Sequence, residues 1–461
     1  MSQVGNRAIV LGGSMAGLLA ARVLAESFNE VLIIDRDELT GVTTARRGVP
    51  QGRHVHGLLA RGQQILEELF PDFTAGAIAA GIPTGDLGEL RWFFGFGQLQ
   101  PATTGLICIS ATRPVLESHV RARVAALPNV TLIEQTDIVG ITTTRDNGTV
   151  TGARIQRHGS QNAEEISADL VIDATGRGSR TPAWLEELGY ERPAEDRVKI
   201  NVSYTTRLYR LRDESILDGQ LSINPVAVPG APRGAFFSRI EDGKCVLSLY
   251  GVLGDSAPTD DEGLLEFAKS LRVPDIYDVI KDAEPLTDAV MYRYPASVRR
   301  RYERLTRFPN GFLVLGDAAC SFNPLYGQGM TVAAIEAMTL REHLHRGAVP
   351  AASTFHKAIS KVIDVCWDMS VSGDLGYPEV EGPRPLKVKI GNAYIGKLHA
   401  AATVDGELTR RFMRVAGLVD PPTAILKPGT MLRVFRNQPA PQPVEPPKPE
   451  SGEDVQAPKA A

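Results

Sequence analysis

The stretch Arg7 to Asp35, RAIVLGGSMAGLLAARVLAESFNEVLIID, decides how the rest of the chain is read. Ala8 to Leu11 has the length and apolarity of a buried strand. Gly12, Gly13 and Gly17 punctuate a turn, a helix is expected from about Met15, and Val31 to Ile34 forms a second strand that ends in an acid. The whole is one βαβ unit. Glycine in the turn lets backbone amides approach a pyrophosphate, and the helix that follows aims its positive end at the same anion. Asp35 lies 18 residues past Gly17, near the roughly 20 expected of a carboxylate that accepts from a ribose hydroxyl. The usual G-x-G-x-x-G has glycine where this chain has Ser14, so the backbone is less free there. A plain strand, turn and helix without a ligand is the competing reading of this stretch taken alone.

Working outward, 461 residues can bury a large core and suggest about three domains, which interleaved lobes would blur. A formal charge of -4 gives no hint of nucleic acid as a partner, and Arg299-Arg300-Arg301 reads as a solvated corner. Cys108, Cys245, Cys320 and Cys366 are far apart, without C-x-x-C or metal-ligand spacing. That fits a reducing, cytoplasmic setting without dithiol chemistry. Two charge-free stretches, Trp92 to Thr112 and Ala318 to Ile335, are broken by Gly, Pro, Gln and Thr, so no integral membrane segment is expected. Arg7 before an alanine-rich apolar run mimics a secretion signal, but cleavage there would discard the first strand of the βαβ unit.

After Asp35 a polar, glycine-punctuated connection carries Arg46, Arg47, Arg53, His54 and His56. It can reach the phosphates of a ligand in the turn, or simply be a solvated basic loop. No third ligand type clusters with the two histidines, so no metal is expected. Arg61 to Phe70 is a short amphipathic helix, and Arg91 to Gly97 (RWFFGFG) is an aromatic run. Cys108 to Ala126 repeats the strand-to-helix theme. Its Arg113-Pro114 opens the helix and places Arg113 at a strand end, where ligands of α/β sheets collect. Val130 to Ile141 and Val150 to Ile155 read as strands joined at Asp146-Asn147-Gly148.

Asp169 to Arg180 (DLVIDATGRGSR) is an apolar strand running into a small-residue turn. From Val198 to Leu253 the pattern alternates, with a turn at Asp242-Gly243, as in an antiparallel sheet inserted into the first lobe. Asp260 to Asp282 is helical. Phe312 to Leu315 is another buried strand, followed by GDAACSFNPLYGQGM and a helix from near Gly329 to about His343. Residues 345–436 are mainly helical, with breaks at Gly376 to Pro385 and Asp420 to Pro422. The last 25 residues hold seven prolines and no aromatic, a composition that does not repay ordering entropy.

Three strands thus end in small-residue turns, at Gly12 to Gly17, Asp173 to Gly178 and Asp317 to Gly329, with an antiparallel insert between the second and third. Distant segments that build one site fit an elongated dinucleotide. No second G-x-G-x-x-G follows another strand, so no separate nicotinamide domain is expected.

The order GGSMAGL, DATGRGS, GDAACSFNPLYGQGM resembles the FAD-dependent monooxygenases of the aromatic-hydroxylase type. RRGVPQGRHVHGLL and NPLYGQGM resemble more closely the squalene-epoxidase-like branch that includes epoxidases of polyether biosynthesis. The resemblance covers roughly residues 5 to 380 and implies an α/β fold. In it a Rossmann-like, interleaved FAD-binding domain of the glutathione-reductase type is joined to an antiparallel-sheet substrate domain and a C-terminal helical region. The divisions expected are 1–90, 91–194 and 306–345 for the FAD-binding domain, with part of the pocket wall in the second. The substrate sheet is 195–305, the helical region 346–436 and the tail 437–461.

Carried over by position, Gly12, Gly13, Ser14, Met15, Ala16 and Gly17 would face the pyrophosphate, and Asp35 with Arg36 the adenosine ribose. Arg46 and Arg113 would lie along the phosphates and ribityl chain, and Asp173, Gly176 and Asp317 at the other two turns. Pro324, Gly327, Gln328, Gly329 and Met330 would run beside the isoalloxazine ring. Trp92, Phe94, Phe96, Phe236, Phe237 and Tyr250 are candidate walls of a dry pocket, or plain core.

The implied chemistry is the cofactor's: reduced flavin captures oxygen as a hydroperoxide and passes one atom to an electron-rich carbon. No catalytic side chain is assigned. The substrate implied is an apolar polyene, isoprenoid or polyketide-like molecule, with NAD(P)H as electron donor directly or through a flavin reductase. The W-x-W-x-I-P element of flavin halogenases is absent. An alkene reductase of the geranylgeranyl-reductase type, and a flavoprotein that binds FAD and an apolar ligand without turnover, remain open.

Overall fold

The structure is a computed structural model that describes residues 3–95 and 97–439. Its centre is a five-stranded parallel sheet in the order Phe312–Val314, Leu170–Asp173, Gly5–Leu11, Phe28–Ile34, Val130–Ile133. Strands buried on both faces need near-continuous apolar runs, and AIVL, VLII, LVI and FLV are those runs; Ile9, Leu11, Ile33, Val171 and Leu313 are fully buried. The helix Met15–Leu24 covers one face and packs against the helix Gly329–Leu344.

Register decides where the turns go. Leu11 pairs with Asp173 and with Ile34, and Asp173 with Val314. Three strands from distant parts of the chain therefore end in one row, and the turns beginning at Gly12, Ala174 and Leu315 leave the same edge of the sheet. The interleaving expected from sequence is the observed topology.

The second large sheet is antiparallel but for one pair, and runs Cys320–Ser321, Val290–Arg300, Glu195–Arg210, Cys245–Gly251, Arg233–Arg239, Ser222–Pro225, Arg91–Phe94, Gly97–Gln98. It takes strands from both sides of 195–305, which corrects the single insert expected there. Backbone pairing across the lobes draws in Arg91–Phe94, parallel to Ser222–Pro225, and Cys320–Ser321, against Val290–Arg300.

Two further expectations are corrected. Ile107–Ile109, the strand before Arg113, pairs antiparallel with Thr84–Asp86 in a separate two-stranded sheet, so Arg113 is not at an end of the parallel sheet. Val130 to Ile141 is two strands: Val130–Ile133 belongs to the parallel sheet and Thr136–Thr143 to a three-stranded antiparallel one, with Gln135 between them at φ +50°. The hairpin turn at Asn147 and the one at Asp242-Gly243 have the positive φ values their sequences demand.

C-terminal to the sheets lie the helices Ala352–Asp374, Leu386–Ala402, Gly406–Ala416 and Pro428–Arg436. The tail from 440 onward lies outside the described residues. Among the described residues no helix is long and apolar enough to cross a membrane.

One buried carboxyl ties the third turn to its helix. Glu336, fully buried on Gly329–Leu344, accepts from the Gly316 amide at 2.6 Å, while its other oxygen meets no donor among the described residues. Burial pushes this acid up to about 8, helped by the neighbouring Asp317 charge and opposed by the Gly316 amide. The folded state keeps a proton that the unfolded chain loses near its ordinary value of 4.5. The group's contribution to stability is therefore full below that value and is lost as pH rises through the folded one. Glu336→Gln retains an acceptor for Gly316 and cannot ionise. Melting curves between pH 5 and 8 should show the wild type losing stability relative to this variant, on the order of a few kcal/mol at the alkaline end. Parallel curves would refute the assignment.

Candidate functional site

The first turn is built for close approach. Gly12 has φ +102°, and a Cβ there would stand 2.6 Å from the Ala174 carbonyl oxygen in the second turn. A Cβ on Gly17 would stand 1.8 Å from the Gly12 carbonyl oxygen. No side chain larger than hydrogen fits at either position. Ser14 is the N-cap residue of Met15–Leu24 but does not cap it, since its hydroxyl donates to Glu117 at 2.7 Å. The amides of Ser14, Met15 and Ala16 meet no acceptor among the described residues, and the first turn holds no acid. Unsatisfied amides with the helix dipole behind them suit an anion.

Asp35, at the end of Phe28–Ile34, is buried and accepts from the amides of Gly13 at 2.6 Å and Asp37 at 2.9 Å. Burial pushes its carboxyl up, while Arg46 and the two amides pull it down. Arg46 also donates to it at 3.5 Å, and since a carboxylate has about four acceptor sites, one remains. Arg36 beside it is exposed and forms no side-chain hydrogen bond among the described residues.

Arg46 and Arg113 reach the glycine turn through a partner that the sequence reading missed. Glu117, buried on the helix Arg113–Ala125, receives Arg46 at 2.5 Å, Arg113 at 3.1 Å and Arg121 at 3.2 Å as well as the Ser14 hydroxyl. Burial alone would raise its pKa, but Arg113, Arg46 and Ser14 hold it below the usual carboxylate range. Arg46 also pairs with Asp37 at 3.0 Å, and Arg113 donates to Ser14 at 2.8 Å. Glu117 lies four residues from Arg113 and from Arg121, a helical spacing legible in the sequence; its link to Arg46 is not.

Asp173 spends its oxygens on its own turn, accepting from the Thr175 amide and hydroxyl and from the hydroxyls of Ser179 and Thr181. It shapes the second turn and has no oxygen directed to a ligand, a correction to its expected role. Gly176 has φ +77° and open space around it. Asp317 is the opposite case. Half-buried in the third turn, it accepts no hydrogen bond among the described residues. Burial pushes its carboxyl up, against Arg113, Arg177 and Arg300. A carboxyl so placed, with no hydrogen-bond donor among the described residues, fits a ligand's hydroxyls. The next residues, Pro324–Tyr326, form a 3₁₀ turn capped by Asn323, and Gly327 leads into Gln328 and Gly329 at the start of Gly329–Leu344. Gln328 is buried with its Oε1 unpartnered among the described residues, and Met330 is buried. Sequence reasoning also missed Asp374, which accepts from Asn323 at 2.8 Å and Tyr326 at 3.2 Å and pins this turn to the end of Ala352–Asp374.

Beyond the turns lies a cavity of about 3320 Å³, several times the usual 300–1,000 Å³ of a small-ligand pocket. Pro324 to Gln328 line it, whereas Gly12 to Gly17, Asp35 and Asp317 do not, so it adjoins the third turn and not the first. Trp92 and Phe94 are on its wall, Phe94 stacking on His399 at 4.2 Å and meeting Phe412 edge-on at 5.5 Å. Phe236 and Tyr250 stack at 5.2 Å on the sheet side. Phe237 does not line the cavity: strand alternation turns it to the other face, into a core with Leu249, Phe267 and Ile276. Phe96 lies outside the described residues. The basic loop forms part of the floor, His54 bonding Thr206 at 2.7 Å and His56 the His54 carbonyl at 2.9 Å.

Residues 8–214 match the model of the FAD dependent oxidoreductase family. Protein Rv3254 of Mycobacterium tuberculosis (strain ATCC 25618 / H37Rv) is 34% identical over 442 residues, 91% of each chain. Kynurenine 3-monooxygenase of Salinispora arenicola is 25% identical over 391 residues, 81% of this chain and 80% of that one. Among solved structures, a flavoprotein/dehydrogenase from Cytophaga hutchinsonii superposes with a TM-score of 0.66 at 15% identity, over 94% of this chain and 96% of that one.

Two substitutions separate holding the cofactor from holding the fold. Asp317→Ala removes a carboxyl that accepts no hydrogen bond among the described residues. Unfolding of the FAD-free chain should be unchanged, while the Kd for FAD, by fluorescence titration, rises about tenfold or more. Glu117→Ala leaves buried Arg113 and Arg121 without an ion-pair partner among the described residues, Arg46 keeping Asp37, and should cost about 3–5 kcal/mol in denaturant unfolding of the same FAD-free chain. The reverse pattern would overturn both roles.

Proposed function

The chain belongs to the FAD-dependent oxidoreductases, and within them we propose a monooxygenase that adds one oxygen atom of O2 to an apolar polyene, isoprenoid or polyketide-like substrate, by epoxidation or hydroxylation. The observation that carries this reading is the large, aromatic-walled cavity beside the third turn, lined by Gly327 and Gln328 just before Gly329–Leu344. Overall, substrate, O2, NAD(P)H and a proton give oxygenated substrate, water and NAD(P)⁺. The hydride donor acts directly or through a separate flavin reductase.

The amides and the two non-alanine-tolerant glycines of the first turn, together with Asp317, fit FAD, the amides and Asp317 having no hydrogen-bond partner among the described residues. Bound there, FAD supplies electron storage and oxygen reactivity. The protein's part is to bind, orient and keep dry. Amides of Ser14 to Ala16 hold the pyrophosphate, Asp35 the adenosine ribose, Asp317 the ribityl hydroxyls, and Arg46 and Arg113 balance phosphate charge. The N-terminal turn of Gly329–Leu344 contains no acid, so Gly327 to Met330 would hold the flavin ring where the helix dipole would favour negative charge on it. Trp92, Phe94, Phe236 and Tyr250 exclude water from the reacting end. No side chain is required to act as general acid or base.

Purified protein should be yellow, and its NADH or NADPH oxidation should consume oxygen severalfold faster when a polyene is added. Under labelled oxygen, mass spectrometry should find one labelled atom per product molecule. Reoxidation of the flavin by an alkene without oxygen would assign an alkene reductase instead. A yellow protein inert to both would be a binding protein.

A further inference from the structure

The C-terminal helices leave an apolar face bare. On Leu386–Ala402, Leu386 and Ile390 are 71% and 60% exposed, and one turn further Tyr394 meets the ring of Phe435 at 6.3 Å. Phe435 belongs to Pro428–Arg436, where Leu432 and Met431 precede it by three and four residues and share its face. Leu432 is 72% exposed and Phe435 51%, whereas Thr430 and Val434 on the opposite side are fully buried. Leu426, just before this helix, is also exposed. Single exposed leucines are ordinary; a connected set marks a contact surface.

Charge says what the contact is. Residues 386–436 hold nine Lys and Arg against three Asp and Glu, a balance of +6 in a chain whose total is -4. The three acids are already paired: Asp405 with Arg433, Glu407 with Arg410 and Arg411, Asp420 with Arg414. Lys387, Lys389, Lys397, Lys427 and Arg436 are exposed and join no ion pair among the described residues. Lys397 stands over the Phe435 ring at 5.3 Å, within the apolar face itself. A second copy of the chain would oppose +6 to +6 in a two-fold contact. The face also borders the cavity, whose lining includes Lys387, Val388, Pro422 and Leu426.

We propose that this face docks on an anionic lipid bilayer, with Leu386, Ile390, Leu432 and Phe435 in the headgroup boundary and the lysines on lipid phosphates, which puts the cavity mouth at the lipid surface. Shallow insertion of an apolar face ringed by Lys and Arg is how a helix lies on a bilayer without crossing it. The inference goes beyond the monooxygenase reading and does not depend on it, since binding is read without turnover.

The test is flotation of the full-length protein, as purified, with vesicles of phosphatidylcholine alone or with about 30% phosphatidylglycerol, in about 0.1 M salt. The protein should float with the anionic vesicles only and be released at about 1 M salt, where the Debye length falls to about 3 Å. Ile390→Ser with Leu432→Ser, both at exposed positions, should lower partitioning about tenfold. Lys387→Glu with Lys389→Glu should do so by at least as much. Unchanged melting temperature and FAD content in each variant keep folding, and the flavin reading, out of the comparison. No flotation, or equal flotation with neutral and anionic vesicles, would overturn the proposal. So would a dimer in sedimentation velocity that Ile390→Ser with Leu432→Ser dissociates, which would assign the face to a second copy.

Discussion

The parallel register of the central sheet is the constraint on which the rest depends. Because Leu11, Asp173 and Val314 stand in one row, the turns that follow them leave the sheet together, though they are more than a hundred residues apart in sequence. A strand end is where the backbone stops pairing with its neighbours. Three such ends side by side make a rim of free amides and carboxylates, which no single loop supplies. Gly12 packs on Ala174, and Gly316 comes within reach of Ala16, so the turns also determine one another's shape.

That rim is held by a cluster of charge placed almost out of water. Three arginines around one glutamate would be mutually repulsive without Glu117, Asp35 and Asp37 among them. Each carboxylate offsets part of the cost of burying the guanidinium groups. The positive charge is thus kept close to the glycine turn without capping its amides. Ser14, which would ordinarily close the helix end, is drawn to Glu117 instead. Its departure from the usual glycine therefore has a structural consequence: the hydroxyl links the turn to the arginine cluster.

The second sheet and the C-terminal helices turn this rim into one end of a larger space. His54 and Val55 join the basic loop to Thr206 and Ser248, and Asp374 joins the Asn323 to Tyr326 turn to the long helix. The cavity walls consequently come from segments far apart in the chain, within 43–115, 195–290 and 323–439. Their aromatic side chains pack against one another as Phe94 does with His399 and Phe412. This is core chemistry used to line a void.

Although it read Asp261–Lys269 and Asp275–Ile280 as one stretch, local pattern by itself determined the first βαβ unit, the three small-residue turns, the hairpins at Asn147 and Asp242 and the helices Ala60–Leu69, Arg113–Ala125 and Gly329–Leu344. Each rests on a period of two or 3.6, or on a residue with a fixed backbone preference. The same turns pointed to an elongated dinucleotide, and FAD came from the resemblance of their motifs to a known family. Local pattern did not separate Asp173 from Asp317, both acids at strand ends, because only packing shows that one is consumed by Thr175, Ser179 and Thr181 and the other meets no donor among the described residues. It did not separate Phe236 from Phe237, since alternation says that they face opposite ways but not which way is the cavity. Glu117 and Asp374 were legible only as polar residues on helices. Their partners are 71 and 51 residues away at Arg46 and Asn323, and contacts at that separation are decided by how the elements pack, to which local propensity is blind.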